Sequence, residues 1–469
     1  MMIIECALVA LITFAVLAFG GVYPWGYTTT AIGAAGLGLR MALATRAWTS
    51  RRFLIAAGLL FVVVLALLAQ TIALPLDVFE RLNPAGAAVL RAVDLRYLLR
   101  PPPHHALSLA PQTTLHVAAF AAAMALLFAA LMIAAPRFAL DRLVTWIAIL
   151  GVALAVFGVV QRAINLRSLD PDGWQVVYGF WKPERAGNVF GPFINRNHFA
   201  GWMIMALPLV VGYACAVVEI TGPEGRLSAG RGLRWATTPD GSRFMTLAAA
   251  ALVMATSVAA TGSRSGIAAL VVMLLVFGYF IAARMQRRRA RTLALAGLIA
   301  VLLGGIIWLG VGRTLQRFSV VSEDVGSRIS AWHDSLRIIR DMPIFGTGAG
   351  GFATAMLVYQ REHRETFYAQ AHNDYLQIVA EGGLLVAVPV FAALGLLIWT
   401  IRLRLRNGDG SVRVHWIRVG AVAGLVAIAV QSLVDFSLQI PADTLLFVVL
   451  AAIAAHRPIR PRVTHAYRV

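Results

Sequence analysis

Long apolar runs dominate this chain, and a run of bilayer length leaves the backbone few options. They fall at about 4–22, 28–46, 53–75, 113–135, 144–162, 198–219, 244–261, 266–283, 293–311, 375–401, 417–434 and 443–456. Most are near or above the roughly 18–20 residues that cross a hydrocarbon core at the α-helical rise. Lipid satisfies no backbone N–H or C=O, so a spanning segment is a helix or part of a closed barrel. A barrel needs ten-residue stretches of alternating polarity, and none recur here. The sequence therefore predicts an all-α polytopic membrane protein of about twelve spans. Composition agrees: 13% of residues are charged, against about 25% in soluble domains.

The formal charge of +19 would suggest nucleic acid in a soluble protein, but its carriers here lie mostly in short loops between the apolar runs. Lys182 is the only lysine, and no basic helix interleaved with aromatics stands outside the apolar runs. Arg46, Arg51 and Arg52 follow the second run, and Arg137 and Arg142 the fourth. Arg284, Arg287, Arg288, Arg289 and Arg291 follow the eighth; Arg402, Arg404 and Arg406 follow the tenth. The tail adds Arg457, Arg460 and Arg462. All are even-numbered exits, so the positive-inside rule sets both termini in the cytoplasm of an inner-membrane protein. The first run lacks a basic leader and an A-x-A cleavage site, and reads as a retained span. Cys6 and Cys215 lie in apolar runs without C-x-x-C spacing, so no disulfide framework is expected.

The opposite, periplasmic side receives loops at about 76–112, 163–197 and 312–374, with short turns at 23–27, 262–265 and 435–442. The last long loop carries helix signals. Arg328 opens one through Trp332, Leu336, Ile338 and Ile339, which Pro343 stops, and Phe352–Tyr359 forms another. A helical periplasmic cap before span ten follows. Four segments result: 1–162 with spans one to five and loop 76–112, 163–311 with spans six to nine, the periplasmic loop 312–374, and 375–469 with spans ten to twelve and the cytoplasmic tail.

Three polar clusters mark the periplasmic ends of spans. G-P-F-I-N-R-N-H-F at 191–199 places Asn195, Arg196, Asn197 and His198 at a helix start, where amides lack partners and the dipole is positive. This is a natural anion site, and equally reads as interfacial capping and snorkelling. T-G-S-R-S-G at 261–266 is a tight hairpin with Arg264 at its tip. Its guanidinium fork suits a phosphate, with Ser263, Ser265 and glycine amides adding donors; headgroup anchoring is the alternative. The long loop ends in A-H-N-D-Y-L-Q at 371–377. There His372 is suited to take a proton near neutral pH, while Asn373 and Asp374 are also preferred helix caps. Tyr359, Arg361, His363 and Arg364 make a further polar run that reads equally as a solvated face.

Two patterns carry no chemistry. G-T-G-A-G-G at 346–351 matches a dinucleotide-binding string, but no strand precedes it and no βαβ unit surrounds it, so it reads as a turn after Pro343. His104 and His105 are adjacent, a poor geometry for one metal. No metal or other cofactor is predicted.

In this order, the clusters resemble the bacterial O-antigen ligase and polymerase superfamily. The likeness runs from about 190 to 385: G-P-F-I-N-R-N-H-F, S-R-S-G, S-R-I-S-A-W, D-M-P-I-F-G-T-G and H-N-D-Y-L-Q-I-V-A-E-G-G. The N-terminal third matches only in hydropathy, and the Pro- and Arg-rich loop 76–112 has no counterpart. The resemblance implies a fold like that of the GT-C membrane glycosyltransferases. It also implies transfer of an undecaprenyl-diphosphate-linked glycan to lipid A-core or another glycan, without a metal. Arg196, Arg264 and Arg328 would clamp the diphosphate and His372 would be the base, with inversion at the anomeric carbon. Asn197, Asn373, Asp374 and Tyr375 would support them. Arg328 is singled out from Arg313, Arg317 and Arg337 by its motif alone.

A transporter would set ionisable groups near the bilayer midplane; Arg40, Glu381 and Asp435 are the main ones within spans, all near span ends. A non-catalytic scaffold would tolerate loss of Arg264 and His372. Concentration of charge on one face favours a surface reaction.

Overall fold

The computed structural model describes residues 2–45, 51–134, 138–167, 175–184, 188–222, 229–285, 288, 291–292, 294–299, 321–361, 366–408 and 410–457. Several arginines of the sequence argument, including Arg46, Arg137, Arg287, Arg289, Arg313, Arg317, Arg364, Arg460 and Arg462, lie outside them, as does His363.

Among the described residues the fold is helical apart from one short two-stranded ribbon and two isolated bridges. Helices α1 (Met2–Leu17), α2 (Pro24–Thr45) and α3 (Arg51–Ala69) open the chain. β1 (Ala73–Pro75) pairs antiparallel with β2 (His104–Ala106), around α4 (Leu76–Leu82), α5 (Pro84–Val93) and α6 (Leu95–Leu99). Then come α7 (Pro111–Ala134), α8 (Leu140–Arg167), α9 (Arg196–Thr221), α10 (Ala229–Ala236), α11 (Pro239–Thr261) and α12 (Arg264–Arg284). The rest is α13 (Val321–Asp341), α14 (Phe352–Tyr359), α15 (Asp374–Asn407), α16 (Val412–Gln431) and α17 (Pro441–Ala455).

Among the described residues, seven helices are long and apolar enough to cross a membrane: α7, α8, α9, α11, α12, α15 and α16. Helices α1, α2, α3 and α17 occupy four further expected runs, α1 and α17 being shorter apolar helices of 16 and 15 residues. The run at 293–311 lies mostly outside the described residues. The first run ends early, at Leu17, because Gly20 and Gly21 turn the chain with φ of 75° and 78°.

Helix α9 is the hub, packed against α8, α11, α12, α16 and α17 and buried from His198 to Val218. Small residues permit this. Gly212 lies against the Trp416 carbonyl, and Gly420 against that of Pro208. Where lipid removes the hydrophobic drive between helices, such close backbone packing drives association.

The loops at 76–112 and 312–374 form one layer. Phe79, Leu90, Tyr97 and Leu107 share an apolar core with Ile338, Met342, Phe352 and Met356. The segment at 76–112, which the sequence left without a role, is thus a wall of the cap. Helix α13 starts at Val321, seven residues before the expected position, so Arg328 sits within it rather than opening it. Ser322, Glu323 and Asp324 are residue types favoured in a first turn.

The glycine turn expected at 346–351 clips this cap to α15. Gly346, Gly348 and Gly350 take φ of 63°, 82° and 79°. Helix α15 breaks at Gly383 (φ 54°, ψ −163°), freeing backbone groups on both sides. The Thr347 and Gly348 amides donate to the Ala380 and Glu381 carbonyls, both at 2.9 Å. Across the break, Leu384 and Leu385 amides donate to Pro343 and Ile344 carbonyls at 2.8 and 3.0 Å. Buried Gln70 locks the joint, donating to the Phe345 and Glu381 carbonyls at 2.8 and 2.9 Å and accepting from the Ala349 amide at 3.2 Å.

Candidate functional site

The start of α15 is fastened to the turn between α16 and α17. Asn373 caps α15, accepting from the Leu376 amide at 3.0 Å, while its Nδ2 donates to the Leu433 carbonyl at 2.9 Å. The buried Asp374 carboxylate accepts from Ser432 Oγ at 2.8 Å, and from the Leu438 amide and Gln439 Nε2, both at 3.3 Å. Tyr375 hydroxyl donates to the Ala429 carbonyl at 2.8 Å. Asn373 caps the helix, and all three residues tie its start to the α16 side and so fix the place of their neighbour. His372 takes φ of 49°, a left-handed conformation that costs a non-glycine residue about 1–3 kcal/mol.

The same turn meets the start of α9. Asn195 caps that helix, accepting from the Asn197 amide at 2.9 Å, and the Asn197 carbonyl accepts from Gln431 Nε2 at 2.9 Å. The Phe436 ring stands between two histidines, edge-on to His198 at 4.8 Å and to His372 at 5.0 Å. Beside it Asp435 is fully buried, accepts from the Phe436 amide at 2.8 Å, and lies 3.9 Å from His198 Nε2. Burial pushes the Asp435 carboxyl above its ordinary range, against the opposing pull of the Phe436 amide, Arg328, His372 and the Asn197 side chain. Arg328 reaches in from α13 and donates from Nη1 to the Val434 carbonyl at 2.8 Å.

The S-R-S-G hairpin joins through helix packing. Gly262 ends α11 with φ of 65°, and Ser263 caps α12, accepting from the Gly266 amide at 3.1 Å. Gly266 lies against the Ala200 methyl, so α12 and α9 begin side by side. Arg264 at the first position of α12 is exposed; Arg196 at the first position of α9 is half-buried. Arg162, at the end of α8, donates to the Thr261 carbonyl at 3.2 Å.

His372, Asn373, Asp374, Asn197 and Arg328 therefore converge on one turn. Arg196 and Arg264 stand at adjacent helix starts, Arg196 two residues before His198. Tyr375 reaches one turn further into α16. Sequence reasoning missed Phe436, and it noted Asp435 only as an ionisable residue at a span end. An acid closing an apolar run was the available signal, because such a group is retained only with a partner or a task. Among the described residues, no three His, Cys, Asp or Glu side chains are grouped to hold a metal.

Residues 249–391 match the family model described as O-antigen ligase. That stretch holds the hairpin, α13, the glycine clip and the His372 motif; Arg196, Asn197 and Asp435 lie outside it. No curated protein matches the chain.

Proposed function

We propose, from the premise that the chain carries an O-antigen ligase family segment at 249–391, that it moves a glycan from undecaprenyl diphosphate to an acceptor sugar at the periplasmic face of the inner membrane. His372 takes the proton of the acceptor hydroxyl, and the oxygen attacks the anomeric carbon from the side opposite the leaving group. The bond from that carbon to the diphosphate oxygen breaks, its electron pair stays on the diphosphate, and the new linkage is inverted. Arg264, Arg196 and Arg328 hold the diphosphate and stabilise its growing charge. Helix starts at α9 and α12 add amides and positive dipole ends. Buried Asp435 faces His372 and Arg328 and balances charge there as the proton moves.

One observation carries this reading: His372 and Arg328, separated by 44 positions in sequence, meet on the turn at 432–439 beside the two arginine-bearing helix starts. Arg328 on that turn, with Arg196 and Arg264 at the starts of α9 and α12, would suit an anionic diphosphate leaving group without metal assistance. Fixing base and clamp on the same turn also lowers the entropic part of the barrier.

The test is a deletion strain complemented with wild type or His372→Ala, with lipopolysaccharide, exopolysaccharide and lipid-linked glycans resolved separately. The variant should reach normal membrane levels yet fail to restore the missing glycan. Accumulated long lipid-linked chains identify a ligase acting on lipid A-core, whereas single repeat units identify a polymerase. Full restoration removes His372 as the base.

A further inference from the structure

The loop between α8 and α9 carries an aromatic cluster that the proposed chemistry leaves unused. Val177 and Trp181 form an antiparallel bridge whose tip is Tyr178, Gly179 and Phe180, with φ of 58° at Tyr178 and 81° at Gly179. Tyr178 stacks on Phe157 at 5.5 Å and on Phe180 at 6.2 Å, both with 23° between planes. Phe19, in the turn between α1 and α2, packs on Tyr23 at 5.3 Å and on Tyr178 and Trp181 at 5.4 Å. Phe180 at the tip is 76% exposed and Trp181 is 38% exposed.

Aromatic residues at a membrane interface usually present their polar ends to headgroups and water. Here those ends are used internally. Tyr178 hydroxyl donates to the Leu17 carbonyl at 2.5 Å, and Trp181 Nε1 donates to Tyr23 hydroxyl at 2.7 Å. The most exposed ring, Phe180, has no polar end. A turn held in left-handed backbone thus displays a bare aromatic face on a braced aromatic base.

Its position suggests what that face meets. Phe19, Val177 and Val189 form one apolar cluster against which Tyr23, Tyr178 and Ile194 pack. Ile194 is two residues before Arg196, and Gly20 beside Phe19 touches the Phe193 ring. The platform therefore abuts the helix start assigned to the diphosphate. Whatever is joined to that diphosphate on its polar side extends from there.

We propose that Phe180, backed by Tyr178 and Trp181, is a stacking subsite for a sugar ring of the donor glycan; this rests on the lipid-linked-donor reading above. One face of a pyranose is lined with C–H groups of partial positive charge, which match the negative face of an aromatic ring, and stacking removes both from water. The subsite would let the protein favour a sugar-bearing donor over the bare lipid diphosphate left after transfer.

The experiment measures affinities of the purified full chain in nanodiscs for two probes, undecaprenyl diphosphate and undecaprenyl diphosphate carrying one N-acetylhexosamine. Wild type should bind the sugar-bearing probe roughly three- to tenfold more tightly, the size of one good aromatic contact. Phe180→Ala and Phe180→Leu should erase that preference and leave bare-probe affinity unchanged, while Phe180→Trp should keep it. Leucine separates the alternatives, since it retains apolar character for membrane anchoring but has no ring face. If Phe180→Leu keeps the full preference, or wild type shows none, the subsite is overturned and the donor reading stands. If wild type binds neither probe, the donor reading fails and takes the subsite with it.

Discussion

His372 owes its place to residues that look, in sequence, like ordinary helix caps. Asn373 does cap α15, but its side chain also reaches Leu433, while that of Asp374 reaches Ser432, Leu438 and Gln439, and together they hold the histidine at the turn. Asp435 supplies a prediction at this scale. Burial raises its carboxyl above the ordinary value of 3.8, so the folded state holds the proton more firmly than the unfolded one. Stability then falls as pH rises from about 4 through the raised value, because ionisation opposes folding in that window. Asp435→Asn removes this dependence. Thermal unfolding of the purified protein should show the variant gaining on wild type as pH rises above about 4. A difference flat with pH would mean that Arg328 and His372 already offset the buried charge at pH 4.

At the scale of elements, two features depend on glycine for different reasons. In the 346–351 clip, left-handed backbone turns the chain so that its amides meet carbonyls freed by the break in α15. Between α9 and α16, glycine removes a side chain that would meet a backbone carbonyl. Gly420→Ala should therefore destabilise the protein by about 1–3 kcal/mol through overpacking. Gly36→Ala on α2, with nothing within 4 Å of an added methyl, should be neutral or stabilise by up to about 1 kcal/mol. Melting temperatures of the two variants check this, and equal losses would contradict the packing argument. The sequence located α14 to the residue because an apolar stretch follows the glycines. It placed the start of α13 too late, because the hydrophobic periodicity begins only at Arg328 while the first two turns are polar.

For the whole molecule, polarity follows from where the arginines lie. Arg142, Arg284 and Arg404 lie at one end of the bundle, with ion pairs from Arg142 to Glu5 at 2.9 Å and Arg284 to Glu219 at 3.4 Å. The His372 turn and the cap lie at the other end. We expect the arginine-rich end in the cytoplasm. In a Cys6→Ser background, where the remaining Cys215 is buried, a membrane-impermeant maleimide should label Arg100→Cys in intact spheroplasts. Arg406→Cys should react only after lysis. The reverse pattern would place the site on the cytoplasmic side.

By itself the sequence determined the helical class, the run of spans and the three motif clusters, since bilayer thickness and helix periodicity act on local stretches of chain. It also marked His372, Arg264, Arg196 and Arg328 as residues to watch. Tertiary structure alone decided that the turn at 432–439 is the meeting point, that Asp435 and Phe436 sit between the motifs, and that loop 76–112 builds the cap. Those contacts join residues tens to hundreds of positions apart. They depend on which helix faces approach closely, and small residues such as Gly266 and Gly420 set that approach without any periodic signal of their own.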